Sequence, residues 1–505
     1  MHRFKLSTVI ATAFVFIVFA LVFHKDPLSI VNQALFDRYS EGYVVCTIVR
    51  DATNPDPKRP RLGLGVYPDK PGCYKQFDDS SFKTLTRHEP FNYSDPNWDA
   101  GIARAFSGFM VKRNVVNFTH YAPGSKIRLP NGTLVNILDL SVNPLYINVR
   151  LDGPILTDAM FSPAAYTPLQ KIDAPFHGYG SQIGIAGFLF SNLYEHFRSR
   201  DLNAYRALNT TALAALAAII VVCAFVEFGF LPALFAGAGL ILSPWFMGFA
   251  GNMYWMEWTW FLPLAFTCLV MGASKPFDRR SGFTACLGYA ICIAIKAACG
   301  YEYLSTVMLA SMVPVVYVGF RDSASIRQIF ISICKLGGAG MIAFFGVLLV
   351  HAKILGGTVA GGLTGIHEDM ARRTYSAGTD PALGTNAPLL DVLSKYFGEL
   401  LQPILVGIDV SFYVVLVALC AAAACLVLSK NLRHRALGIC FFFSTAAPMS
   451  WFVLAKGHSF VHYFLNPVLW DLPTVPLGLI CVGTCLSILL PRIRSRPADG
   501  AKVAS

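Results

Sequence analysis

Long apolar runs without a charged side chain alternate with short polar or basic connections along this chain. They are Leu6–Phe23, Ala207–Val226, Phe228–Met256, Trp258–Ser274, Tyr303–Phe320, Leu336–Ala352, Ser411–Ser429, Ala436–Ala455 and Leu472–Leu490, while Ser281–Gly300 is broken only by Lys296. A helix of about twenty apolar residues crosses the hydrocarbon core. With a reversal near Glu227–Gly229 and re-exit near Asn252, the pattern predicts about ten transmembrane helices. Leu6–Phe23 reads as a membrane helix rather than a cleaved leader, since no small-x-small site follows Phe23.

Two longer polar regions interrupt the helices. The first, His24 to Arg206, carries Pro/Gly punctuation at Asn54–Pro60 and Pro68–Gly72, and alternating stretches at Val135–Val142 and Leu145–Leu151 that read as strands. Its last part, Gln182–Tyr194, is apolar and fits either a helix lying on the bilayer or a buried helix of the outer domain. The second region runs from Lys353 to Asp409. The expected organisation is an N-terminal anchor over 1–23, a non-cytoplasmic domain over 24–206, a membrane bundle over 207–352, a second outer loop over 353–409, a further bundle over 410–490 and a cytoplasmic tail over 491–505. The expected fold class is an α-helical multipass membrane protein with a mixed α/β non-cytoplasmic domain inserted after the first helix.

Composition sharpens this reading. At 505 residues, 54% hydrophobic and 14% charged, with mean hydropathy +0.51, the chain is too apolar for an ordinary soluble enzyme. Its 41 Lys+Arg against 30 Asp+Glu point to membrane orientation, because no basic run with interleaved aromatics suggests nucleic acid. With the N-terminus inside, the short inner connections hold Arg3 and Lys5, then Lys275, Arg279 and Arg280, then Arg321 and Arg327, then Lys430, Arg433 and Arg435, and finally Arg492, Arg494, Arg496 and Lys502. The outer turns at Gly251–Glu257 and Gly300–Glu302 hold no Lys or Arg. An even number of helices with both ends inside follows, and the expected location is a bacterial inner membrane with the large domain outside the cytoplasm.

Candidate chemistry belongs on the outer face, where polar residues beside the membrane are costly without a role. Asp37 and Glu41 follow the first helix four residues apart, on one face if helical, and either could deprotonate a hydroxyl; each reads equally as a solvated acid near Arg38. Glu257 and Glu302 sit on very short outer turns, and Tyr254, Trp255, Trp258 and Trp260 serve either as an interfacial aromatic belt or as stacking surfaces for a sugar. Arg372 and Arg373 run against the positive-inside trend and suit an anion such as a lipid phosphate, or else are a solvated pair in a long loop. Lys296 is expected to snorkel toward headgroups. His458 and His462 have the spacing of half a zinc site, but no third ligand is near; with Lys456 and Asn466 they fit hydrogen bonding to a phosphate or an acceptor hydroxyl better. No metal site is assigned, although a divalent ion is left open.

Of 13 cysteines, Cys46 and Cys73 alone lie in the outer domain, where they either pair or stay as thiols. No Walker motif, dinucleotide fingerprint or Gly-x-Ser-x-Gly elbow occurs, which weakens nucleotide-driven transport and serine hydrolysis.

The segments Tyr179–Gly184, Asn252–Trp255, Trp260–Pro263, Gly300–Tyr303 and His458–His462, in this order of parts, resemble the GT-C glycosyltransferases, which use polyprenyl-phosphate sugars on the non-cytoplasmic face. The resemblance covers the membrane body and the end of the outer domain; 74–149 has no counterpart, and the family's commoner Asp-x-Asp or Glu-x-Asp pair after the first helix is missing. It implies transfer of a sugar, with inversion, from a polyprenyl-phosphate donor to a glycan, lipid or protein acceptor. Asp37 or Glu41 would be the base. Arg372, Arg373, Lys456, His458 and His462 would hold the lipid phosphate, and Tyr254, Trp255, Glu257, Glu302 and Asn466 would contact substrate. No cofactor is implied. Two other readings stand beside it: a transporter or flippase of lipid-linked saccharide, and an O-antigen polymerase or ligase.

Overall fold

The computed structural model describes residues 6–25, 37–54, 62–68, 73–74, 76–77, 169–273, 279–375, 388–399, 404–406, 410–462 and 465–494, together with the backbone of four strands between 108 and 151. The chain is a helical integral membrane protein with little sheet. Among the described residues, five helices are long and apolar enough to cross a membrane: Leu202–Phe228, Gly282–Cys299, Leu304–Arg321, Ile326–Gly356 and Leu432–Leu454. Shorter apolar helices lie at Thr8–His24, Phe230–Leu242, Trp258–Gly272, Phe412–Val427 and Thr474–Leu490.

Helix α1 (Leu6–Lys25) is followed by α2 (Arg38–Thr53), and β1 (Gly65–Val66) pairs antiparallel with β6 (His177–Gly178). Between them β2 (Gly108–Lys112), β3 (Lys126–Arg128), β4 (Leu134–Val142) and β5 (Tyr146–Leu151) form an antiparallel sheet of order β2-β5-β4-β3. Both stretches that alternate in the sequence are thus strands, with Leu140 opposite Val149 and an irregularity between Ile137 and Asp139. Helix α3 (Ile185–Phe197) precedes α4 (Leu202–Phe228), α5 (Phe230–Leu242), the short α6 (Pro244–Phe249), α7 (Trp258–Ala273) and α8 (Arg279–Cys299). Then come α9 (Leu304–Ala310), α10 (Val313–Arg321), α11 (Ile326–Gly356), α12 (Val359–Tyr375) and α13 (Leu389–Glu399). The chain continues through α14 (Phe412–Val427), α15 (Leu432–Ser444), α16 (Ala446–Leu454), α17 (Lys456–Val461), α18 (Val468–Asp471) and α19 (Thr474–Arg494).

Helix packing follows from where the apolar surface is buried. α1 lies on α4, α5 on α19, α8 on α11, and α10 on α15. α11 instead turns Phe330, Ile342, Phe345, Leu349 and Val350 outward. Water would penalise such a face, and hydrocarbon does not.

The third apolar run ends earlier than expected. Phe228–Met256 is helical only as far as Leu242; Ser243 Oγ then accepts the Phe246 amide at 3.3 Å and starts α6 with Pro244 in its first turn, and Ala250–Met256 coils back into the interior. No charge marks this break, so hydropathy passes over it.

α2 is buried nearly all round although its composition is mixed. Val44, Val45, Ile48 and Val49 fill the core; Thr47 Oγ1 accepts the Gly65 amide at 3.1 Å, and Arg50 donates from Nε to Asp51 at 2.6 Å while its guanidinium lies 4.5 Å from the Phe176 ring centre. A Cys46–Cys73 disulfide, with Cα atoms 5.1 Å apart, ties α2 to the segment that follows. α3 packs one face on α2 through Ala186, Gly187 and Phe190, and leaves Ile185, Phe188, Leu189 and Phe197 exposed. The apolar stretch Gln182–Tyr194 is thus helical from Ile185, with one face packed on α2 and an apolar face turned away from it. The approach is backbone on backbone: a side chain at Gly187 would collide with the Gly63 carbonyl.

At the opposite ends of the helices, Glu227 collects three connections. It accepts Tyr317 Oη at 2.7 Å, meets Arg321 at 3.1 Å and lies 3.8 Å from Arg433.

Candidate functional site

Asp37 caps α2 from a left-handed backbone conformation (φ 43°). One carboxylate oxygen accepts the Ser40 amide at 3.3 Å, and the other accepts the Trp255 indole N–H at 2.6 Å. Its backbone carbonyl accepts the Asn252 amide at 3.2 Å. Asn252 Oδ1 in turn accepts the Tyr254 and Trp255 amides at 3.0 and 3.3 Å, so one buried asparagine shapes the turn that presents Trp255. Burial raises the Asp37 carboxyl above the ordinary aspartate value; hydrogen bonds from Ser40 and Trp255 pull it partly back, and the charge of Glu41 adds a small rise.

Glu41 is engaged differently. It is 2% exposed, and its oxygens accept Arg206 Nε at 3.0 Å and Nη2 at 2.7 Å, Tyr74 Oη at 3.3 Å and the Met253 amide at 3.4 Å. A carboxylate held bidentate by a buried guanidinium is a poor proton acceptor and a good structural tie. Here it joins α2 to α4 and to the Asn252 turn.

The aromatic residues at this junction are interior, so an interfacial belt does not describe Tyr254, Trp255 or Trp260, which are 7%, 7% and 2% exposed. Tyr43, Tyr179 and Tyr254 form a cluster with ring centres 4.8 to 6.4 Å apart. Trp255 stacks on Tyr303 at 5.9 Å and 15°. Tyr303 also contacts Trp260 at 5.1 Å and Trp451 at 5.2 Å.

Lys296 does not snorkel. It is 2% exposed, and its ammonium donates to the Gly300 carbonyl at 2.6 Å. Glu302 is also buried; the Gln182 amide donates to Glu302 Oε2 and to the Cys299 carbonyl, both at 3.2 Å. A side chain at Gly300 would occupy the space of these two groups. The neighbouring Tyr179–Gln182 segment is fixed from the other side as well. Ser181 Oγ donates to Asp369 on α12 at 2.5 Å, and the His351 ring on α11 bridges Tyr301 Oη (2.9 Å) and the Gly180 carbonyl (3.2 Å).

Glu257 is fully buried, and Asp471, which sequence reading missed, is 1% exposed. Asp471 Oδ2 accepts Ser243 Oγ at 2.6 Å. Burial, reinforced by the charge of Asp471, raises the Glu257 carboxyl well above the ordinary value, and burial brings Asp471 up to about 7 against the pull of the Ser243 hydrogen bond.

The helices that carry the cationic candidates adjoin one another at α17. α12, which carries Arg372 and Arg373, and α13 both pack against α17, which starts at Lys456 and carries His458. The Arg372 and Arg373 side chains lie outside the described residues. The His458 and His462 rings are 4.6 Å apart, and Trp451 lies 5.6 Å from His458. Among the described residues no group of three or more His, Cys, Asp or Glu is arranged to hold a metal. Asn466 is buried and donates to the Ser459 carbonyl at 3.1 Å, closing the turn after α17. Lys395 on α13 lies 4.0 Å from the Phe460 ring centre.

The structure thus gathers Asp37, Glu41, Tyr254 and Trp255 into one site, and reaches Glu257 and the α17 histidines through the Tyr303, Trp260 and Trp451 rings. Arg206 and Asp471 are site residues that sequence reasoning passed over, whereas Asn252 and Tyr303 were visible only as ends of the segments Asn252–Trp255 and Gly300–Tyr303. No family model matches this chain, and neither a curated protein nor a solved structure is significantly similar to it.

Proposed function

We propose that this protein transfers a sugar from a polyprenyl-phosphate donor to a hydroxyl acceptor on the non-cytoplasmic face, with Asp37 as the base. The observation that carries this reading is the setting of Asp37: an acid just beyond the first helix, oriented by Trp255 and Ser40 at the edge of an aromatic cluster and made more basic by burial. In this reading ten helices span the membrane and both ends lie inside. The meeting of Glu227, Arg321 and Arg433 at one end of the helices, and of Asp37, Trp255 and Tyr303 at the other, supports that sidedness.

The step balances without a nucleotide. Asp37 takes the acceptor hydroxyl proton, the acceptor oxygen forms a bond to the anomeric carbon with inversion, and the bond from that carbon to the phosphate oxygen breaks. The departing phosphate carries the electron pair and stays charged, which suits the cations of α12 and α17. A transporter has less support, since the buried Lys296 donates to the Gly300 carbonyl at the end of its helix and feels the charge of Glu302 on the adjoining turn, not of an acid at mid-membrane.

The test is to reconstitute purified protein in nanodiscs with radiolabelled polyprenyl-phosphate sugars and extracts of envelope glycans, lipids and proteins. Release of polyprenyl phosphate coupled to labelled acceptor is expected. Export of intact donor without release would establish the transporter instead.

A further inference from the structure

Two carboxylates that the transfer step does not use, Glu257 and Asp471, are both buried and lie close enough for the charge of one to act on the other. Both oxygens of Glu257, and Oδ1 of Asp471, have no hydrogen-bond partner in the protein. The indole N–H of Trp260 and the hydroxyl of Tyr303 are also buried without a hydrogen-bond partner, and the Trp470 indole N–H and the Tyr396 hydroxyl face each other in the interior. Glu257 and Asp471 interact electrostatically, Tyr396 lies in the field of Asp471 and Tyr303, and Trp470 bonds to the Tyr396 hydroxyl. Trp260 packs on Tyr303.

An unsatisfied buried polar group costs roughly 1–3 kcal/mol, and native interiors seldom keep several together without use. The kind of mismatch selects the ligand. A bare cation would answer the carboxylates and leave the indole and phenol donors unmet, and an anion would do the reverse. A hydroxyl-rich ring does both, because each hydroxyl donates to a carboxylate and accepts from an N–H or O–H, while its C–H face packs on an aromatic ring.

We infer that Glu257, Asp471, Trp260, Trp470, Tyr303 and Tyr396 form the subsite that holds the sugar ring of the donor. This inference rests on the glycosyl-transfer reading above and adds the place of the sugar. The subsite adjoins the base, since Trp255, which holds Asp37, stacks directly on Tyr303. With both carboxyls raised by burial, the pair can present a protonated donor beside an acceptor at neutral pH.

The test uses full-length protein in nanodiscs and equilibrium binding of short-chain polyprenyl-phosphate sugars bearing glucose, galactose, mannose, arabinose or an amino-arabinose, against the same polyprenyl phosphate without a sugar. Wild type is expected to bind at least one sugar lipid more tightly than the bare phosphate lipid. Glu257→Gln, Asp471→Asn and Trp470→Phe are each expected to lose that excess by tenfold or more while keeping their affinity for the bare lipid, which also reports that each variant is folded. An excess that survives in all three variants overturns the subsite and leaves the transfer reading standing. An equal loss for both lipids assigns these side chains to the fold and overturns the subsite too. Wild type that prefers no sugar lipid over the bare phosphate overturns the transfer reading, and the subsite with it.

Discussion

Trp255 and Asp37 are joined across 218 residues of sequence by a 2.6 Å hydrogen bond from indole to carboxylate. The bond stabilises the charged form of an acid that burial otherwise discourages from ionising. Together with the Ser40 amide on the other oxygen, it also fixes the orientation of the carboxylate.

Trp255→Phe keeps the ring and removes the donor. The Asp37 carboxyl then rises further, because its charged form loses a hydrogen-bond donor. Since a base must be ionised, the acidic limb of the transfer rate against pH is expected to move upward, with the plateau at high pH little changed. An unshifted limb in the rate profile would separate Trp255 from the base.

The Glu41–Arg206 pair makes an opposite prediction, of stability rather than pH. Arg206→Ala leaves a carboxylate at 2% exposure without its cation and is expected to cost about 3–5 kcal/mol. Glu41→Gln strands the guanidinium and is also expected to lower the melting temperature. Both are read by thermal denaturation of detergent-purified protein.

Asp471 couples stability to pH. Its folded-state carboxyl sits near 7, above the ordinary aspartate value, so the folded form holds the proton more tightly than the unfolded chain. The resulting stability is complete below about pH 4 and is lost as pH rises through about 7. Melting temperatures from pH 4 to pH 8 are expected to fall less steeply for Asp471→Asn than for wild type. Equal slopes would show that this carboxyl ionises in the folded protein as it does in the unfolded chain.

The Cys46–Cys73 bond closes a 27-residue separation beside the site helix. The Cys46→Ser/Cys73→Ser double variant is expected to lose about 2–5 kcal/mol. Wild type should show no shift on alkylation without reductant at these two positions, as read by peptide mass spectrometry.

Much of the helical framework was legible because lipid demands long uncharged runs, and a charge or its absence is visible in one dimension. The failures share a cause. Ser243 and Pro244 break the third run without adding charge. The aromatic residues Trp255 and Trp260 carry no mark that separates a membrane belt from an interior cluster. Lys296 was assigned to the headgroups because its carbonyl partner, Gly300, contributes only backbone. Arg206 looked like the edge of a domain, and Asp471 carried no signal at all, until folding set one against Glu41 and the other near enough to Glu257 to act on its charge. Asp37 and Glu41 were equivalent on paper; only their partners distinguish a tied carboxylate from an available one.

That distinction is also the most direct test of the account. Single-turnover sugar transfer is to be measured with saturating donor in wild type and Asp37→Asn, alongside donor binding. The account predicts that Asp37→Asn binds donor as wild type does but transfers about 10²- to 10⁴-fold more slowly, the usual contribution of a general base. Transfer by Asp37→Asn at the wild-type rate would contradict it.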